Sequence, residues 1–135
     1  MSQENVEVAA RFYEPTASKE ELLAAMPKTM ALCHPDVEWT VPEDGTTYLG
    51  REGVRRRLEE WLESFAEYRY DVQRIIDCGG DDVLVEAAEV GRGAMSGAKV
   101  RSTNYELLTI QDGMIVRIRE FYDEGDALEA AGSSE

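Results

Sequence analysis

The sequence predicts an α+β domain in which helices pack on one face of a curved antiparallel sheet. Three observations carry that prediction. Apolar residues recur at helical spacing in most of the chain up to Phe65, and the period changes to two from Tyr68 onward. The second half is also punctuated by Gly79-Gly80, Ser96-Gly97 and Asp112-Gly113, the last a type I′ hairpin signature.

Taken in order, Gln3 and Glu4 favour a helix start after Ser2, with Val6, Ala9, Ala10 and Tyr13 at helical spacing and Pro15 as the stop. Ser18 and Glu21 form a capping box that opens a second helix carrying Leu22, Leu23 and Met26. Pro27 cannot donate an interior hydrogen bond, so it kinks that helix or starts a new turn. From Asp36 to Val41 the pattern alternates, with Val37, Trp39 and Val41 on one face of a half-buried strand. Pro42 to Gly50 is rich in breakers and reads as a loop.

Val54, Leu58, Trp61, Leu62 and Phe65 then form one helical stripe, while Arg55, Arg56, Glu59, Glu60 and Glu63 take the wet side. Glu52 and Arg56 stand in the favoured acid-then-base order, and the arginine run reads as a solvated face. Four strands follow at Tyr68–Asp77, Asp82–Gly93, Lys99–Ile110 and Met114–Tyr122. Asp123 caps a short last helix through Ala127, Leu128 and Ala131, with Gly132 as its stop.

A chain of 135 residues suits one domain, 1–135, with a single sizeable core. Its net charge of −14 repels phosphate backbones, so neither nucleic acid nor an anionic membrane is expected as a partner. No apolar run approaches the roughly 20 residues that span a bilayer, and MSQENVEV lacks the pattern of a secretory signal. A cytoplasmic address is the expectation. Cys33 and Cys78 match no Cys-x-x-Cys motif and read as small core residues. His34 is the only histidine and lacks the partners of a metal site, so neither metal nor other cofactor is expected.

HPDVEWTVP, then YLGREGV, then a long meander ending IQDGMIVRIREFYDEGDALEAAG, resembles the SnoaL-like proteins. Their cone-shaped α+β superfamily also holds nuclear transport factor, ketosteroid isomerase and limonene epoxide hydrolase. The resemblance implies a sheet wrapped into a cone whose open face the helices cover. Gly50 and Gly53 would let the chain turn tightly into the helix that forms one wall. It also implies a homodimer, through an outer sheet face whose apolar residues would be Tyr105, Leu107, Ile115 and Phe121.

Alternation sorts the strand residues into faces. Val83, Val85, Ala87, Glu89 and Gly91 go together, as do Ser102, Asn104, Glu106, Leu108 and Ile110. On the last strand Val116, Ile118, Glu120 and Tyr122 share a face, with Ile115, Arg117, Arg119 and Phe121 opposite. The resemblance to the epoxide hydrolases puts the sets with Glu89, Asn104 and Glu120 inside the cone.

Glu89 and Glu120 resemble their two catalytic carboxylates, while the position of their arginine is Ala87. The aspartate of the ketosteroid isomerases would fall on Trp39 or Thr40, and their oxyanion tyrosine on Phe12, with Tyr13 beside it on another helical face. The polyketide cyclases of the family use a carboxylate base, which Glu120 or Glu89 could imitate.

The expected site therefore has Glu120 and Glu89 as catalytic groups. Trp39, Trp61, Asn104, Glu106, Leu108, Ile118 and Tyr122 would hold a small, mostly apolar molecule. Burial without a partner favours the protonated form of a carboxyl, so Glu120→Gln should raise stability at neutral pH and abolish proton transfer. The function expected is small-molecule binding with cofactor-free proton transfer of cyclase, isomerase or hydrolase type. The alternative is a ligand-binding or dimeric interaction module without chemistry.

Overall fold

The structure, a computed structural model, describes residues 2–16, 18–41 and 45–133. Three short helices come first: α1 (Ser2–Phe12), α2 (Lys19–Ala24) and α3 (Met26–Ala31). Ser18 Oγ accepts from the Glu21 amide at 3.2 Å and starts α2, as the capping pair predicts. Pro27 sits in the first turn of α3, where no intrahelical donor is needed. β1 (Cys33–Val41) and β2 (Thr46–Leu49) lead to α4 (Gly50–Glu63), and a meander of β3 (Phe65–Asp77), β4 (Asp82–Gly93), β5 (Lys99–Gln111) and β6 (Met114–Phe121) precedes α5 (Glu124–Ser133).

The breaker-rich stretch expected to be a loop thus contains a strand. Its first part, Pro42–Asp44, lies outside the described residues, but Thr46–Leu49 pairs antiparallel with Glu38–Val41 at the sheet edge. Gly50 has φ +74, a left-handed conformation that favours glycine, and turns the edge strand into α4. Arg51 Nε then donates to the Cys33 carbonyl at 2.8 Å and pins the helix start to β1.

The six strands form one sheet in the order β2-β1-β6-β5-β4-β3. All neighbours are antiparallel except β1 and β6, which run parallel. A parallel pair needs a long crossover, and here α4 and the whole meander supply it. Asp112 and Gly113 both have positive φ, at 53° and 78°, which is the type I′ turn expected between β5 and β6.

β4 and β5 pair without interruption, so Val85 faces Glu106, Ala87 faces Asn104 and Glu89 faces Ser102. β6 is different. Thr109 pairs with Arg117 but Ile110 with Ile115, so Val116 is an extra residue, a bulge. Ile115 is therefore fully buried in the same core as Ile118 instead of facing outward. Beyond the bulge the expected phase holds, and Ile118 and Glu120 point inward.

The main core lies between the inner sheet face and helices α1, α3 and α4, around Val37, Trp39, Val54, Val85, Leu108 and Ile118. A second, smaller core lies on the other face, where α5 covers Leu84 and Leu107 with Ala127 and Ala131. The outer apolar patch expected from sequence is thus largely occupied. Leu107 is under α5, Ile115 is inside, and Tyr105 and Phe121 are half-buried against the smaller core.

Candidate functional site

Inside the cone a cavity of about 90 Å³ remains between the sheet and the helices. Phe12, Tyr13, Leu58, Trp61 and Tyr70 give it a largely aromatic wall. Its polar lining is Glu89, Asn104, Glu106 and Glu120 from three adjacent strands, and Arg57 from α4.

Arg57 is the residue that sequence reasoning missed. It follows Val54 by three and precedes Trp61 by four, so it falls on the apolar stripe of α4 and not on its wet side. Its side chain is only 14% exposed. The guanidinium lies 5.7 Å from the ring centres of Trp39 and Tyr48 and 5.2 Å from that of Trp61, within cation–π range of all three. One terminal nitrogen reaches Glu120 Oε1 at 3.4 Å, and Nε has no hydrogen-bond partner among the described residues. The solvated part of the run is Arg55 and Arg56; Arg55 pairs with Glu52 and, at 3.1 Å, with Glu59, so Glu52 bonds to Arg55 while the expected Arg56 acts on it only through its charge.

Glu120, 5% exposed at its side chain, is held from several sides. Besides Arg57, Trp39 Nε1 donates to Oε1 at 3.2 Å and Tyr122 Oη donates to Oε2 at 3.0 Å. The unpartnered carboxyl expected at this position does not exist, because strand β1 and helix α4 bring donors to it. Glu106 is the contrasting case. It pairs with Glu120 across β5 and β6, and its Oε2 accepts from Asn104 Nδ2 at 3.4 Å, while Oε1 has no hydrogen-bond partner among the described residues. Burial pushes the Glu106 carboxyl well above the usual carboxylate range, and the neighbouring Glu120 pushes it further.

Glu89 is also raised, first by burial and then by the Glu120 charge, against the lowering effects of the Tyr68 hydroxyl and Arg57. Tyr68 Oη donates to Glu89 Oε2. The Trp61 indole also favours the Glu89 anion, although its Nε1 makes no bond of hydrogen-bonding geometry among the described residues. Tyr68 itself is raised by burial and by the Glu89 charge.

Most of the expected site residues converge on this cavity: Glu120, Glu89, Trp39, Trp61, Asn104 and Glu106 all line it. Three do not. Leu108 and Ile118 pair with each other one inward-facing position beyond Glu106 and Glu120, and are packed in the core rather than lining the space. Tyr122 is 47% exposed, because β6 ends at Phe121 and the alternation ends with it; only its hydroxyl reaches Glu120.

Ala87, at the position resembling the arginine of the epoxide hydrolases, lines the cavity beside Asn104. Phe12 and Tyr13 both line it too, at the end of α1, where the Tyr13 amide still donates to the Ala9 carbonyl at 3.1 Å. The Tyr13 hydroxyl is buried without a partner among the described residues.

Elsewhere, burial pushes the Cys33 thiol up to about 12, as fits an inert core cysteine. His34 Nδ1 accepts from the Asp36 amide at 3.0 Å. Among the described residues no three His, Cys, Asp or Glu side chains gather in a metal-holding group, and no helix is long and apolar enough to cross a membrane.

Comparison with known proteins adds three structural likenesses. TerC, co-crystallised with polyporic acid, is 22% identical over 96% of this chain and 98% of its own, with a TM-score of 0.73. A candidate SnoaL-like polyketide cyclase from Jannaschia sp. is 20% identical over 97% of this chain and 93% of its own, with a TM-score of 0.74. An NTF2-like protein of unknown function from Burkholderia pseudomallei is 19% identical over 93% of this chain and 95% of its own, also at 0.74. At such identities these likenesses show the fold alone. No curated protein sequence matches the chain. The SnoaL-like domain family model matches residues 9–118. With that match over most of its length, on a cone closed by helices, the chain belongs to the SnoaL-like domain family.

Proposed function

We propose that this SnoaL-like protein binds a small, mostly apolar molecule in its cone and moves a proton on it, with Glu89 as the proton acceptor and Glu106 as a neutral acid. The observation that carries the reading is the contrast among three carboxyls in one cavity. Glu106 is buried with a free oxygen and pushed towards neutrality, Glu89 is raised but anchored by Tyr68, and Glu120 is tied to Arg57, Trp39 and Tyr122. Environments that treat neighbouring carboxyls differently separate acid from base. A largely apolar pocket with a few convergent polar groups is the usual form of such a site. Glu120, the first choice from sequence, becomes a positioning residue in this reading, because its oxygens are already engaged. The shared fold of a candidate polyketide cyclase is in keeping with proton transfer at carbon.

The test is deuterium exchange. Small cyclic ketones and 1,3-diketones that bind the protein are incubated with it in heavy water, and loss of the C–H signal is followed by NMR. Protein-dependent exchange that falls about a hundredfold or more in Glu89→Gln supports the reading, the usual scale for a general base. Binding without any exchange would leave a ligand-binding module and overturn the catalytic part.

Pairing of two copies through the outer sheet face is proposed on narrower ground than the sequence offered. Tyr105 and Phe121 are half-buried there beside α5, which leaves Leu128 exposed at 46%. Light scattering in the micromolar range should give twice the 15.1 kDa of the chain, and a monomer throughout would refute pairing.

A further inference from the structure

Arg57 is the cation that lines the cavity, and its donors are poorly satisfied. An arginine carries five N–H donors in a planar fork. Here one terminal nitrogen makes a single long contact with Glu120, three aromatic rings surround the group, and Nε–H has no acceptor among the described residues. Glu120 needs Arg57 less than Arg57 needs an acceptor, since Trp39 and Tyr122 also donate to that carboxylate. A buried donor without an acceptor is costly, so an oxygen arriving in the cavity meets a group already desolvated and waiting for it.

We propose that Arg57 is the oxyanion-holding residue of this site, and that the ligands are small ring compounds whose oxygen takes up negative charge: enolisable ketones or phenols. The assignment rests on the proton-transfer reading above and gives it a substrate class. In the step, a C–H bond next to the carbonyl breaks, its proton passes to the Glu89 carboxylate, and the electron pair moves onto the carbonyl oxygen. That oxygen becomes an enolate held against the guanidinium. Return of the proton from Glu89 to a carbon of the same framework completes an isomerisation and restores both groups.

Charge balance favours this division of labour. The site does not gain an anion; the negative charge moves from Glu89 to an oxygen beside Arg57, while Glu120 keeps its own donors. The aromatic wall of Phe12, Trp61 and Tyr70 supplies flat apolar surfaces that suit a ring. A preorganised donor in a dry site stabilises developing negative charge far better than water does.

The experiment is equilibrium binding of p-nitrophenol, whose phenol and phenolate forms differ in colour, with p-nitrotoluene as the neutral isostere. The native protein should bind the dye as the phenolate at a pH where the free dye is mostly neutral. Arg57→Met should weaken phenolate binding about tenfold or more, the effect of losing one hydrogen bond to a charged group, and leave p-nitrotoluene binding unchanged. Should Arg57→Met fold poorly, the double variant Arg57→Met/Glu120→Gln removes both charges and is read in the same way. The proposal is overturned if the dye binds as neutral phenol, if neither compound binds, or if the phenolate preference survives in these variants. The readout needs no turnover. Its failure is therefore separable from a failure of deuterium exchange.

Discussion

Glu106→Gln is expected to make the protein more stable at neutral pH and to change it little in acid. Burial and the Glu120 charge raise the Glu106 carboxyl in the folded state. In the unfolded chain it returns to the ordinary value of about 4.3. Below that value both states hold the proton and the contribution of Glu106 to stability is fully present. Above it the unfolded chain releases the proton while the folded chain keeps it, and stability is lost as pH rises towards the folded value. The loss accumulates at about 1.4 kcal/mol per pH unit across that window. Glutamine keeps the shape and the acceptor for Asn104 Nδ2 but has no proton to retain. Urea unfolding of both proteins from acid to neutral pH should show two curves that separate steadily as pH rises. Parallel curves would mean that Glu106 is solvated, and the neutral-acid role would fall with them.

Glu120→Gln is expected to do the opposite, reversing what the strand pattern alone implies. The carboxylate is the only ion-pair partner of Arg57 among the described residues, and the two side chains are 5% and 14% exposed, so solvent screens the pair little. Removing one partner of a buried pair leaves an uncompensated charge and costs about 3 kcal/mol. Unfolding in urea at neutral pH should show that loss, and Arg57→Met added to Glu120→Gln should recover much of it. A Glu120→Gln variant as stable as the native protein would show that the Arg57–Glu120 contact contributes nothing.

How much of this is legible in the sequence depends on whether a pattern is local. The inner faces of β4 and β5 follow from alternation because their register is unbroken from Asp82 to Arg92. Alternation places Ile115 on the wrong face because one bulge at Val116 reverses the phase, and a bulge inserts one residue without a signature of its own. Thr46–Leu49 carries no buried alternation to betray a strand, since it lies at the sheet edge with no fully buried residue. Leu107 reads as open surface because nothing local says that a short last helix folds back over it.

Arg57 is the instructive failure. Its position on the stripe with Val54 and Trp61 was readable, but three consecutive arginines look like a solvated face. The rings that desolvate the third come from β1, β2 and α4 itself. The donors around Glu120 are equally non-local, which is why its partners could not be foreseen while its face could.

The parallel pairing of β1 with β6 bears on the timing of assembly. The bond from Trp39 to Glu120 joins residues 81 apart in sequence, and the strands that carry them meet only when the last strand docks beside the first. Closing so long a loop exacts its entropy before any contact rewards it, which makes such pairings late and slow in folding. Until that closure Arg57, on the helix packed against β1, has no counter-ion and Glu120 lacks the Trp39 donor, although the β5–β6 hairpin already sets Glu106 beside Glu120. The cavity thus gains the cation and the indole donor that balance its carboxyls only with the closing of the sheet. A chain that has reached its meander but not yet joined its ends would have strands and helices, yet no chemistry.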